Sequence, residues 1–258
     1  VPLKVASWNV NSLRVRLPHV LKWLEREKPD LLALQETKLK DEEFPADTFR
    51  DYGYSATFSG QSAYNGVAII SREEPRDVRY DIGNGHTEQK RVVGATFGAV
   101  RFFSLYVPNG QSVDSDKYRY KLEWMATLRS SLADELTRHP LLLVSGDFNV
   151  APDDRDVHDP IVWRGRVLVS PPERAALAKL VELGLRDTFR LFPQPENVFS
   201  WWDYRAGAFR RNQGLRIDLM LASLELSQTC LGARIDKEPR GWERPSDHVP
   251  VVAEFALP

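Results

Sequence analysis

Apolar and polar positions along the chain fall into short blocks of two periods. Leu3 to Asn9 reads as a strand, and Leu17, Val20, Leu21 and Leu24 then recur at i, i+3, i+4 and i+7, the stripe of a helix that must stop before Pro29. Leu31 to Leu34 is a continuous apolar run of strand length, so the chain opens strand, helix, strand. Between Tyr54 and Tyr106 the runs are short and rich in β-branched and aromatic residues: Val67 to Ile70, Val92-Val93 and Val100 to Tyr106. Turn residues separate them, which predicts hairpins. Tyr118, Leu122, Met125, Leu128, Leu132 and Leu136 fit a long amphipathic helix stopped by Pro140, and the strand-like run Leu141 to Val144 follows. Leu177, Leu180 and Val181 predict a helix ended by Gly184, and Val249 to Phe255 a last strand. Hairpins mixed with crossover helices imply an α/β protein with mixed sheets. No linker, charge block or repeat divides residues 1–258, so one domain is expected.

Composition narrows the class. Hydrophobic residues make up 42% and charged residues 28%, enough apolar material for a substantial core and too much for disorder. The formal net charge is −1, so the molecule as a whole has no basic field to hold nucleic acid, and any such contact must come from a local patch. One cysteine, Cys230, cannot form an internal disulfide and reads as a small buried residue in a reducing compartment. No run approaches a membrane span, and the N-terminus shows no signal segment; the reading is cytoplasmic, monomeric and without a membrane partner.

Polar residues gather after the predicted strands. In Trp8-Asn9-Val10-Asn11-Ser12 the two amides share a face if the backbone stays extended, or else form turns. Glu36, in Leu34-Gln35-Glu36-Thr37-Lys38, puts a carboxylate at a strand mouth, where it is either a ligand for a hard cation or a surface acid. In Ser145-Gly146-Asp147-Phe148-Asn149, Gly146 permits a tight turn. Asp147 and Asn149 then either project together to hold and deprotonate a water or close an Asx turn. Asp218 interrupts the apolar run Gly214 to Ala222 and needs a partner if buried. Ser246-Asp247-His248 offers one, an imidazole whose tautomer a carboxylate would fix. His19, His86, His139 and His158 have no zinc-like spacing, and neither a Gly-rich phosphate loop nor a Gly-x-Ser-x-Gly elbow is present.

Taken in order, WNVNS, LQETK, YVPNG, GDFN, GLRIDLMLAS and SDHVPV resemble the exonuclease III family of apurinic/apyrimidinic endonucleases, within the endonuclease/exonuclease/phosphatase superfamily. FSWWDYR at 199–205 is similar to the DNA-repair branch of that superfamily. The resemblance implies a four-layer α/β sandwich with two central mixed sheets, like deoxyribonuclease I. It implies a Mg²⁺-dependent enzyme, with Mn²⁺ as a substitute, that cuts double-stranded DNA 5′ to abasic sites in base excision repair. Such enzymes also act on blocked 3′ ends as 3′–5′ exonucleases and 3′ phosphatases. By the same resemblance Glu36 is the chief metal ligand, with Asn9, Asn11 and Asp247 nearby, and Tyr106, Asp147, Asn149 and His248 surround the scissile phosphate. Asp147 orients or deprotonates the water, and Asp218 holds His248; whether Tyr106 or Asp147 handles the proton stays open. Asn109, Trp201 and the cations Lys90, Arg91, Arg205, Arg210, Arg211 and Arg216 are placed on the DNA, with Trp201 on the abasic sugar or an unstacked base and one of Trp201 and Trp202 in the core. The stretch 153–170 lies where family members differ; its bulky Trp163 and Leu168 bear on the balance of activities. Two rivals remain: a nucleic-acid-binding regulator of this fold without catalysis, and a phosphoesterase acting on small substrates.

Overall fold

The computed structural model describes residues 2–83 and 88–257, so His86 lies outside them. In chain order the strands begin with β1 (Leu3–Asn9), β2 (Leu31–Gln35), β3 (Ser55–Ser59), β4 (Val67–Ser71) and β5 (Arg76–Arg79). They continue with β6 (Val92–Phe97), β7 (Val100–Tyr106), β8 (Leu142–Asp147), β9 (Arg186–Asp187) and β10 (Trp201–Trp202). The last are β11 (Gly214–Leu215), β12 (Asp218–Ala222), β13 (Cys230–Ile235) and β14 (Val251–Phe255). The helices that matter for packing are α1 (Leu13–Glu27), α2 (Ala46–Asp51), α3 (Asp116–Arg138), α4 (Pro160–Trp163) and α5 (Pro171–Val181).

Alternation along the central strands builds the layers. One six-stranded sheet runs β13-β14-β1-β2-β4-β3 and the other β5-β6-β7-β8-β12-β9. Val5, Ala33, Ile69 and Ala253 of the first meet Ala95, Phe102, Leu143 and Met220 of the second in one buried cluster. Their chain neighbours point the opposite way. Ala6, Leu32 and Ile70 pack with Val20, Trp23 and Leu24 of α1 and Phe49 of α2, while Phe103, Val144 and Leu221 pack with Trp124, Met125 and Leu128 of α3 and Leu177 and Leu180 of α5. Because successive side chains face opposite sides of a sheet, one strand feeds two cores, and the result is helix, sheet, sheet, helix.

Both sheets are mixed, as the alternation of hairpins and crossovers predicts. β1 and β2 are parallel, joined by α1, and β7 and β8 are parallel, joined by α3; the pairs β1–β14, β2–β4, β6–β7 and β8–β12 are antiparallel. The carboxyl ends of both parallel pairs reach the same edge of the sandwich, where strand-end crevices form.

The structure departs from the sequence reading in four places. Gly146 is inside β8 rather than at a turn; at its φ of 148° a Cβ would lie 1.9 Å from the Leu105 carbonyl oxygen, so the glycine serves the close approach of β7 and β8. The run Gly214 to Ala222 is two strands, β11 pairing with β10 and β12 with β8, divided at Arg216-Ile217. The last strand starts at Val251, and Cys230 is half-buried at the start of edge strand β13. Among the described residues no helix is long and apolar enough to cross a membrane.

Candidate active site

Each candidate catalytic side chain sits where a strand ends or begins at the shared edge. Asn9 closes β1 and Glu36 follows β2. The Glu36 backbone is left-handed (φ 51°), and its loop is pinned by hydrogen bonds from Ser12 N to Glu36 O at 2.8 Å and from Thr37 N to Gly66 O at 3.1 Å. Asp147 closes β8 opposite Asp218, which opens β12. Asp247 and His248 precede β14; the Trp202 amide donates to the Asp247 carbonyl at 3.0 Å, and Trp201 bridges to His248.

One amide spans the sheets. Asn9 Nδ2 donates to Glu36 Oε1 and to Asp147 Oδ2, each at 2.9 Å. Just below, Gln35 Nε2 donates to Ser7 Oγ on its own sheet and to Ser104 Oγ on the other, both at 3.0 Å. Asn9 and Asn11 do not share an extended face. Asn11 has φ 43°, its N–H donates to Asn9 Oδ1 at 3.0 Å in an Asx turn, and its amide reaches Asp247 Oδ1 at 3.1 Å. Lys38 joins this group to Glu36, with Nζ 2.5 Å from Asn11 Oδ1 and 3.1 Å from Glu36 Oε2.

His248 is buried between two carboxylates. Nδ1 is 2.8 Å from Asp218 Oδ2 and Nε2 is 3.5 Å from Asp147 Oδ2. The Ser200 hydroxyl donates to Asp218 Oδ2 at 2.6 Å and accepts from the amides of Ile217 and Asp218, which fixes that carboxylate. Burial alone would lower the imidazole pKa, but the charges of Asp218 and Asp147 and the Asp218 hydrogen bond outweigh it, and the group is held well above its ordinary range. Asp147 is raised, first by burial, opposed by His248, then by the negative charges of Asp218 and Glu36. Tyr106, with Arg91 stacked 4.7 Å over its ring, is raised well above an ordinary phenol, by burial and then by Glu36 and Asp147; it stays a neutral donor at neutral pH.

Glu36, Asp147 and His248 offer ligand atoms that all lie within 4.8 Å of one another. Two carboxylates drawn to one amide proton donor group, with a third behind the imidazole, leave an excess of negative charge in a half-closed site. An oxygen-dominated donor set of that kind suits a hard divalent cation.

The other side chains surround this centre. Asn149 (φ 49°) closes an Asx turn on Asp147, its N–H 2.9 Å from Oδ1; its Nδ2 donates to the Val107 carbonyl at 2.9 Å, and Asn109 Nδ2 donates to Asn149 Oδ1 at 3.2 Å. Trp201 Nε1 donates to Asp247 Oδ2 at 3.0 Å, and its half-buried ring packs toward Val157, Leu168, Leu215 and Ile217, with Trp163 nearby. Trp202 is in the core. Arg205, Arg210 and Arg211 are exposed, and Lys90 and Arg91 are half-buried, Arg91 against Tyr106 and Lys90 against Gln61 and Gly66. Arg216 does not join them: it is 1% exposed, with Nε 2.6 Å from Asp156 Oδ1 and Nη2 2.7 Å from Asp187 Oδ2, so its charge is spent inside the protein.

Sequence reasoning gave no role to Ser200, Lys38 or Lys121. Lys38 lies within the quoted LQETK block, and Lys121 is three residues after Tyr118 and four before Met125, a charge on the apolar stripe of α3. Ser200 lies within the quoted FSWWDYR block, but its partner Asp218 is 18 residues away.

Two mixed sheets stacked face to face, with carboxylates and an imidazole on their common edge, define a hydrolase of phosphate esters. The family model described as "Endonuclease/Exonuclease/phosphatase family" matches residues 6–248, and the chain belongs to that family, as a nuclease of the exodeoxyribonuclease III type. It is 36% identical over 267 residues to an exodeoxyribonuclease III of Haemophilus influenzae, covering 98% of this chain and 100% of the relative. Among solved structures it is similar to the 3′ phosphatase NExo from Neisseria bound to product DNA hairpin, at 43% identity and a TM-score of 0.96, covering 99% of this chain and 100% of that one. It is also similar to an AP endonuclease from Archaeoglobus fulgidus, at 39% identity and a TM-score of 0.95, covering 99% and 100%.

Proposed function

We propose that this nuclease is a Mg²⁺-dependent DNA-repair phosphodiesterase that cuts duplex DNA 5′ to abasic sites and trims blocked 3′ ends. The observation that carries the reading is the convergence of Glu36, Asp147 and His248 within 4.8 Å at the sheet edge. Glu36, with Asp147 beside it, would hold the cation, which when bound neutralises charge on the phosphate and on the leaving 3′ oxygen. Asp147, buried and raised in pKa, takes the proton of the attacking water. His248, fixed by Asp218, donates from Nε2 to a phosphate oxygen as charge builds there. Tyr106 contributes a neutral phenol and Asn149 an amide to the same phosphate, while Trp201 stands beside the position of the missing base.

A second reading weights 3′-end processing over internal cutting. It is favoured by the likeness to the 3′ phosphatase and by Leu168 and Trp163, which crowd the side of Trp201.

The test uses three duplex oligonucleotides: one with a single abasic analogue, one blunt, and one with a 3′ phosphate, each with Mg²⁺ or chelator. Incision 5′ to the analogue in Mg²⁺ alone is expected, and cutting of only the 3′-phosphate duplex would favour the second reading. Glu36→Ala should remove most turnover while the melting temperature holds, since the side chain lies at a strand mouth and a crowded negative charge is removed. Full turnover of that variant in chelator would overturn the assignment of a metal role.

A further inference from the structure

Lys121 is fully buried on α3, and all three protons of its ammonium are engaged. Nζ donates to Glu173 Oε1 at 2.5 Å, to the Asn149 carbonyl at 2.6 Å and to the Asn109 carbonyl at 3.1 Å. Glu173, equally buried on α5, accepts from Leu168 N at 2.9 Å and from Ser170 N at 3.1 Å, and from the Ser170 hydroxyl. One ion pair therefore ties together three segments that border the active site: the loop after β7, the loop after β8 and the turn before α5, whose Leu168 packs in the cluster that backs Trp201.

We propose that Lys121 and Glu173 are a positioning pair, holding the amides of Asn109 and Asn149 and the apolar wall behind Trp201 in register for the nuclease reaction. The inference rests on the proposed reading in which the Asn149 amide faces the scissile phosphate. A buried ion pair contributes little net stability over apolar groups of the same volume, because desolvation offsets the attraction between the charges. Its distinct effect is directional. The Asn149 backbone is left-handed at φ 49°, and its carbonyl is turned inward onto the ammonium while its amide side chain goes to Val107 O and Asn109. Desolvation lowers the Lys121 pKa and the Glu173 charge opposes that, so the carboxylate helps keep the clamp cationic.

The test is Lys121→Met combined with Glu173→Gln, which removes both charges at nearly constant volume and leaves one carbonyl oxygen where Glu173 offered two, for either Leu168 N or Ser170 N. On blunt duplex DNA we expect kcat to fall on the order of tenfold with KM unchanged, and Lys121→Arg to stay within about threefold of the parent. Adding Asn149→Ala to the double variant should cost clearly less than Asn149→Ala costs in the parent, whereas a pair that only filled space would give equal costs in both backgrounds. A folded double variant with parental kcat would overturn the positioning role. If the double variant does not fold, Glu173→Gln alone, which keeps the lysine but removes its counter-charge, should lower kcat by about threefold at constant KM, and a parental kcat there overturns it as well. Asn149→Ala separates the two levels: if that variant is unimpaired, the reading of the site fails and takes this one with it; if it is impaired and the pair variants are not, only the positioning role falls.

Discussion

Asp218 and His248 lie 30 positions apart in the chain, yet the imidazole Nδ1 meets the carboxylate at 2.8 Å and neither group has solvent to fall back on. Under such conditions each depends on the other. Without Asp218 the imidazole loses its largest source of positive-charge stabilisation, and without His248 the carboxylate is a buried charge held only by the Ser200 hydroxyl. Groups that act as a unit give non-additive losses. Asp218→Asn and His248→Asn should therefore lower kcat/KM together by little more than the worse single change, measured on one oligonucleotide with all four proteins. Strictly multiplicative losses would show that the imidazole works without its carboxylate.

At the level of elements, the site depends on how closely β7 and β8 approach. Gly146 allows Tyr106 and Asp147, paired in parallel register, to end side by side at the edge. A Cβ at position 146 would collide with the Leu105 backbone, which cannot swing aside as a side-chain tip could. Gly146→Ala should thus cost roughly 1–3 kcal/mol in urea unfolding, the usual range for overpacking, and should lower kcat by shifting Asp147. Unchanged stability and activity would show that the two strands can part without consequence. The elements themselves were largely legible in the sequence, because apolar runs of strand length and one 3.6-period stripe report burial directly, as at Leu31–Gln35 and Asp116–Arg138. What was not legible came from distant partners. Gly146 reads as a turn residue until the neighbouring strand is known, and Arg216 reads as a surface cation until Asp156 and Asp187, 60 and 29 positions away, are seen to enclose it. The candidate site was legible through the ordered blocks, whereas the roles of Ser200 and Lys121 depend on Asp218 and Glu173, 18 and 52 positions away.

For the molecule as a whole, a formal net charge of −1 means that DNA affinity must come from a local patch, and the proposed one is the exposed face near Trp201. Even there, Arg205 is paired with Asp203, and Arg211 donates to the Ala206 carbonyl at 2.6 Å, so the local field is modest. Arg211→Ala should weaken binding to intact and abasic duplex alike and flatten the salt dependence by about one unit of slope. Trp201→Ala should weaken binding to the abasic duplex by roughly 1–3 kcal/mol more than to the intact one. Arg216→Ala should leave the salt slope alone and lower stability by about 3 kcal/mol, the low end for breaking a buried ion pair, since Asp156 keeps Arg190 and Asp187 is only half-buried. Titrations in chelator at several salt concentrations, with urea unfolding alongside, check all three; a salt slope altered by Arg216→Ala would return that residue to the DNA face.

The amide of Asn9 touches a carboxylate from each sheet, and Gln35 ties the same two sheets just beneath. Neither half-molecule owns a catalytic centre; the centre is a property of their docking. A chain whose two sheets had formed without joining would carry Glu36 on one and Asp147 and Asp218 on the other, with no site between them. Any change that loosens that docking should therefore cost activity before it costs either sheet.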